Sequence, residues 1–303
     1  MSVNKKVRVD DWDISVSSLT AWHQDALCVR LLSYRTYTIG TLEFTMRILI
    51  TNDDGIRAPG LVALANVAKK FGEVKIVAPD RERSACGHAM TMRDPLRVSE
   101  FKWDGIEAYE VNGVPVDCVN VGLTVAWPDG CDLVLSGINN GPNLGFDITY
   151  SGTVAGAMEG TINGIRSIAM SMALFVSGAP IHYETGEKWL VENFEMLVSA
   201  PCKPLCFLNV NVPSIEFVEL RGHRVTQMGQ RVYQDRVEMR QDPWGRPYYW
   251  QGGVVVMDRD QPGTDVQAVT EGFVSITPVS LDWTDRELMD KLEHSMRKVD
   301  ATS

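Results

Sequence analysis

A run of strand-forming residues that stops abruptly in two acids constrains this chain more than any other feature. In residues 47–60, RILITNDDGIRAPG, the apolar Ile48-Leu49-Ile50 gives way to Asn52-Asp53-Asp54-Gly55, and a helical pattern starts near Pro59. Successive side chains on a strand point to opposite faces, so two adjacent aspartates reach one point only where the backbone is already turning. Gly55 permits that turn, and Pro59 suits a first helical turn, where no N–H is needed. The stretch reads as a strand delivering two carboxylates to the carboxyl edge of a sheet, where open α/β sheets bind ligands. Carboxylate and amide oxygens there suit a hard dication such as Mg²⁺ or Mn²⁺. Alone, Asp-Asp-Gly more often describes a helix cap or a solvated turn. The functional reading gains weight because three later loops, each after an expected strand, carry small polar residues.

Residues 1–45 lack sustained periodicity and read as a poorly ordered extension, or as a start set upstream of the natural one. An α/β domain is expected over 46–303. Strands are expected at 47–51, 74–78, 107–112, 132–136, 165–172 and 205–210, with helices at about 59–70, 116–126, 154–163 and 184–198. Residues 74–78 are wholly apolar, as in a parallel strand buried on both faces. Parallel neighbours need crossovers, and helices supply them here, so the fold class is a doubly wound, mostly parallel α/β sheet. Residues 137–145, GINNGPNLG, are expected to form a loop. Residues 221–260 are rich in Arg, Gln, Gly and aromatics (Tyr233, Trp244, Tyr248, Tyr249, Trp250), with turn signals at 242–245 and 252–253. They read as a β-hairpin arm, equally suited to oligomerisation or to packing back on its own domain. A late strand at 274–278 and a charged helix at about 284–297 close the pattern.

Charge and cysteine usage narrow the function. A formal net charge of −10 argues against a nucleic-acid polymer as partner, since such proteins present a basic face. No apolar run approaches the ~20 residues of a membrane span. The Lys5-Lys6 start runs at once into Asp10, Asp11 and Asp13, unlike an export signal. Cys28, Cys86, Cys118, Cys131, Cys202 and Cys206 show neither disulfide-framework nor zinc spacing, so they read as reduced thiols of a cytoplasmic protein.

Four loops can converge at one sheet edge: Asp53 with Asp54, Ser84, Asn139 with Asn143, and Ser151-Gly152-Thr153. Two carboxylates with neutral oxygens from Ser84 and Asn139 nearly cancel a 2+ ion and still admit a phosphate. The cation would polarise a phosphoryl oxygen and lower the pKa of an attacking water. The helix N-terminus at Gly152-Thr153 offers N–H donors to the phosphate, and Asn143 and Ser151 join it as substrate-binding candidates. Asp53 and Asp54 are the catalytic candidates: one of them, Asp54 ahead of Asp53, can take the water's proton, but the pattern does not assign that role, and both can be pure ligands. Asp-x-Asp-x-Thr, Gly-x-Gly-x-x-Gly, the Walker motif and Gly-x-Ser-x-Gly are all absent. His88 and His223 read as hydrogen-bonded structural residues. A non-catalytic nucleotide- or metal-binding module using the same edge stands as the alternative.

The ordered blocks RILITNDDG, APDRERSACGHAMT, VNGVPVDCV, LVLSGINNGPNLG, YSGTVAGAMEG and TDVQAVTEGFVSITP resemble the SurE (survival protein E) family of metal-dependent 5′/3′-nucleotidases, over about residues 46–280. The resemblance implies a Rossmann-like core and a C-terminal arm exchanged within a homodimer or homotetramer. It implies one divalent cation per subunit on Asp53, Asp54, Ser84 and Asn139, with Ser151-Gly152-Thr153 beside the phosphate pocket. The implied reaction is hydrolysis of nucleoside monophosphates, with polyphosphate as a side substrate. The family pattern begins at a methionine corresponding to Met46.

Overall fold

The computed structural model describes residues 7–9, 12–14, 45–103, 105–175, 178–234, 237–251, 254–259 and 262–300. The expectation for residues 1–45 lies outside these, apart from two short strands and Thr45. The chain divides into two compact units, one of residues 1–44 with 194–200 and one of 45–193 with 201–303. In the first, β1 (Val7–Val9) pairs antiparallel with β2 (Trp12–Ile14).

The second unit is built on a nine-stranded sheet. Its strands are β3 (Met46–Thr51), β4 (Gly72–Pro79), β5 (Val98–Trp103), β6 (Ile106–Val111), β7 (Leu133–Asn140), β8 (Arg166–Ala173), β9 (Cys206–Pro213), β10 (His223–Val225) and β15 (Val274–Ser280). They lie in the order β10-β15-β9-β8-β7-β3-β4-β6-β5. The six central strands, β9 to β6, run parallel, and β5 and β15 pair antiparallel with β6 and β9. Crossovers come from α1 (Pro59–Ala68), α2 (Pro115–Val121), α3 (Gly152–Ile162) and α4 (Tyr183–Ser199). From β3 the chain works outward through β4 and β6, then returns to β7 and works the other way through β8 and β9. The strand order therefore reverses between β3 and β7, the topological switch point at which such sheets bind ligands.

Burial explains why these segments are strands and helices. Ile48, Leu49 and Ile50 of β3 and Ile76, Val77 and Ala78 of β4 are fully buried, and Leu61, Leu64, Ala65 and Ala68 give α1 its inner face. Leu49, Val77, Val111, Cys118, Val119, Trp127 and Val134 form one core cluster on the sheet. Helix α3 needs no large side chains, because Gly152, Gly156 and Gly160, four residues apart, form a ridge that lies directly on the strands. A β-carbon on Gly156 would sit 2.7 Å from Ser136 Oγ, and one on Gly160 would sit 2.8 Å from Val134 Cγ2.

Several boundaries differ from those the sequence suggests. Strand β7 runs on to Asn140, through a register irregularity between Ser136 and Asn139, so the Gly/Asn-rich segment is loop only from residue 141. The helix expected to 126 ends at Val121, and a π-helical turn covers Gly122–Ala126. Strand β5 and a helix, α5 (Asp265–Thr270), are additions. The closing helix, α6, spans Arg286–Asp300. Within 221–260, β10 lies in the main sheet, parallel to β15. Beyond it β11 (Gln230–Gln234) pairs with β14 (Val254–Arg259), and β12 (Val237–Gln241) with β13 (Pro247–Gln251), both antiparallel.

Candidate metal centre

Strand β3 is buried to its end, and the turn that follows is braced from inside. The fully buried Asn52 donates from Nδ2 to Gly55 O (3.0 Å) and accepts from Gly55 N at Oδ1 (3.2 Å). Gly55 takes φ +99°, a left-handed conformation that favours glycine. Two backbone bonds fasten this turn to the loop after β4: Ile56 N donates to Pro79 O (2.8 Å) and Arg83 N to Asp53 O (2.7 Å).

Asp53 is 4% exposed. Its carboxylate accepts from the Thr153 hydroxyl, and the nearby backbone N–H groups of Thr153 and Gly152 favour its charged form. The N-terminus of α3 is thus turned onto Asp53, and its positive end favours the carboxylate. A side chain at Gly152 would block this, since its β-carbon would fall 2.7 Å from Asp53 Cβ. Asp54, half-buried, accepts from Asn140 N at Oδ2 (3.1 Å), which joins the ends of the adjacent β3 and β7. Burial pushes the Asp53 acid up, against the Thr153 hydrogen bond and the surrounding backbone N–H groups. Burial and then the charge of Asp53 push Asp54 up to about 6. Tyr183, at the start of α4, is pushed up to about 12 by burial and then by Asp54.

The other expected ligands border this pair. Ser84 is exposed, one residue beyond the Arg83–Asp53 bond, and donates its hydroxyl to Glu82 Oε1 (2.7 Å). Asn139 precedes the Asn140–Asp54 bond and donates from Nδ2 to Gly141 O (2.9 Å), which leaves its Oδ1 as the acceptor. Ser151 is the N-cap of α3, accepting from Val154 N (3.0 Å). Asn143 is buried and engaged elsewhere: Nδ2 donates to Ser171 Oγ, its N–H donates to Asn211 Oδ1, and its carbonyl accepts from Asn209 and Asn211.

Two buried or half-buried carboxylates stand side by side with raised acids, and among the described residues no lysine or arginine pairs with either. A dication relieves both the desolvation and the mutual repulsion. No cluster of three or more His, Cys, Asp and Glu forms among the described residues. The oxygens that Asp53, Asp54, Ser84 and Asn139 offer around this pair are hard donors, of the kind that suits Mg²⁺ or Mn²⁺.

Sequence reasoning missed Asn52 as the brace of the turn, Tyr183 beside Asp54, and Glu159 as the partner of His88, whose Nε2 lies 3.0 Å from Glu159 Oε2. Asn52 alone carried a signal, as an Asx residue three before a glycine. His223 stacks edge-on against Trp189. Cys86, Cys118, Cys131, Cys202 and Cys206 are free thiols.

Comparison with known proteins bears on this edge. The family model described as Survival protein SurE matches residues 48–235. The chain is 43% identical over 249 residues to a protein of Thermosipho melanesiensis named 5′-nucleotidase SurE, covering 82% of this chain and 96% of that one. It is 47% identical over 261 residues to one of the same name from Pelotomaculum thermopropionicum, covering 83% and 96%. The crystal structure of a SurE protein from Aquifex aeolicus superposes with a TM-score of 0.71 at 40% identity, covering 82% of this chain and 99% of that one.

Proposed function

This chain belongs to the SurE family, and on that premise we propose that it hydrolyses nucleoside 5′- and 3′-monophosphates to nucleoside and phosphate. The cofactor is one divalent cation per subunit, Mg²⁺ or Mn²⁺, held by Asp53, Asp54, Ser84 and Asn139. The observation that carries this reading is the pair of adjacent carboxylates at the strand switch point, sealed by α3 and lacking a cationic side-chain partner among the described residues.

The bound cation supplies charge neutralisation of the phosphoryl oxygens and a water of lowered pKa. The chain's own residues do the rest. Thr153 and the first N–H groups of α3 lock the Asp53 carboxylate in one orientation. Asp54 is less enclosed than Asp53, which supports assigning it the proton of the attacking water. Ser151, Gly152 and Thr153 lie beside the phosphate pocket; because their N–H and hydroxyl groups are turned to Asp53 and Val154, they act on the phosphate through the positive end of the helix. Asn143 holds the neighbouring loop by its bonds to Ser171, Asn209 and Asn211. The same edge admits the end of a polyphosphate chain as a side substrate.

The 237–251 hairpin exposes Met239, Trp244, Tyr249 and Trp250, which supports a homodimer or homotetramer built through this arm. Among the described residues no helix is long and apolar enough to cross a membrane. The reading places the protein in the cytoplasm.

Phosphate release from AMP with added Mn²⁺ is the test. EDTA should abolish it and fresh metal restore it. Asp53→Asn or Asp54→Asn should lower kcat/KM at least about 100-fold, about 2.7 kcal/mol of transition-state stabilisation, with the fold intact. Binding of AMP without phosphate release would instead identify a binding module.

A further inference from the structure

The loop that carries Ser84 is fastened on both sides of the serine. Before it, Arg83 N donates to Asp53 O (2.7 Å), and the Arg83 guanidinium reaches Asp80 Oδ1 (3.3 Å) and Asn112 O (2.5 Å). After it, Gly87 N donates to Tyr150 O (2.9 Å), and His88 Nε2 lies 3.0 Å from Glu159 Oε2. Between these fastenings Ser84 and Ala85 are exposed, and Ala85 takes φ +56°, a conformation that non-glycine residues adopt only where their surroundings impose it. Glu159 is a firm anchor: its side chain is 8% exposed, and Asn163 Nδ2 donates to its Oε1 (3.3 Å). It lies on α3, the helix whose first turn grips Asp53. One rigid helix therefore holds a metal-binding carboxylate at its start and, two turns on, the end of the loop bearing a neutral ligand. The Glu159 carboxyl is held below its ordinary range, first by the hydrogen bond from His88.

We propose that His88 is a positioning residue for the metal centre, clamping the Ser84 loop to Glu159 so that the Ser84 hydroxyl is presented in register with Asp53. Farther along, Thr91 gives the loop a fastening that does not involve His88, bonding Asp117 through both its N–H (3.0 Å) and its hydroxyl (2.6 Å). The clamp sets ligand geometry. The proposal rests on the metal-site reading above, and its test separates the two.

The test is titration of the full-length protein with Mn²⁺ alone, by calorimetry without substrate, with a thermal melt of each variant. His88→Ala should weaken Mn²⁺ binding about tenfold, the lower end of what outer-shell partners of metal ligands contribute. His88→Gln, which keeps a donor, should recover most of the loss. Glu159→Gln, close in shape to the original, should weaken binding in the same direction by less, and it carries the test if the alanine variant does not fold. Unchanged Mn²⁺ affinity in folded His88→Ala, whatever its melting temperature, would overturn the proposal and leave His88 a structural residue. Wild-type protein that binds no Mn²⁺, or an Asp53→Asn variant that binds it as tightly, would overturn the metal site itself and the clamp with it.

Discussion

Replacing Gly152 by alanine asks whether the first turn of α3 must touch Asp53. A β-carbon there falls 2.7 Å from Asp53 Cβ, 2.8 Å from Cys86 Sγ and 2.9 Å from Asp53 Oδ2. Asp53 Cβ is one bond from the main chain and cannot swing aside, so the strand end or the helix must move. Overpacking of this kind costs about 1–3 kcal/mol of stability. The functional cost is separate. A shift of about 1 Å in a reacting constellation costs on the order of 100-fold in rate, or about 2.7 kcal/mol. Gly160→Ala is the matched control, since its β-carbon would meet Ser167 Oγ at 2.5 Å and Val134 Cγ2 at 2.8 Å, two turns down the same helix. Both variants should melt earlier. At saturating Mn²⁺ and a temperature well below both midpoints, phosphate release from AMP should collapse in Gly152→Ala and persist in Gly160→Ala. Equal activity in the two variants, whether both retained or both lost, would refute the reasoning, because the effect would then follow helix packing and not contact with Asp53.

Thr153→Val keeps the shape of the side chain but deletes the hydroxyl that donates to the buried Asp53 carboxylate. In EDTA, urea unfolding should show a loss of about 1–3 kcal/mol, the usual cost of leaving a buried polar group short of a partner; no change would show that the two backbone N–H groups suffice. Glu159 has a folded-state pKa below its ordinary value. Its contribution to stability is therefore complete above the ordinary glutamate pKa and is lost as pH falls through the depressed one. Glu159→Gln should flatten this part of the acid-unfolding limb, and an identical limb in variant and wild type would contradict it.

The fold was legible where local pattern and tertiary role agree. The apolar run ending in Asn52-Asp53-Asp54-Gly55 is strand and turn for the same steric reasons in isolation and in the sheet. The alternation of apolar runs with helical spacing from Met46 announces parallel strands with crossovers. What could not be read depends on partners remote in sequence. Gly137 to Asn140 has loop composition, yet β8 pairs with Asn139 and Asn140 and holds them as strand. Strand β5 lies at the sheet edge, largely exposed, with charges in its sequence, and α5 is too short for periodicity to show.

The same division holds at the site. The oxygen-rich residues were visible, but the contacts that define their geometry were not. Thr153 lies 100 residues from the carboxylate it grips. Asn140 lies 86 from Asp54. Asn143, grouped by its loop with the site, spends its side chain on Ser171.

The central claim is that the turn after β3 and two later segments hold one cation between them. Anomalous diffraction from crystals grown with Mn²⁺ tests it most directly. The account predicts a single peak within about 2.5 Å of oxygens from Asp53, Asp54, Ser84 and Asn139. A peak elsewhere, or one that persists at this edge in the Asp53→Asn variant, would contradict it.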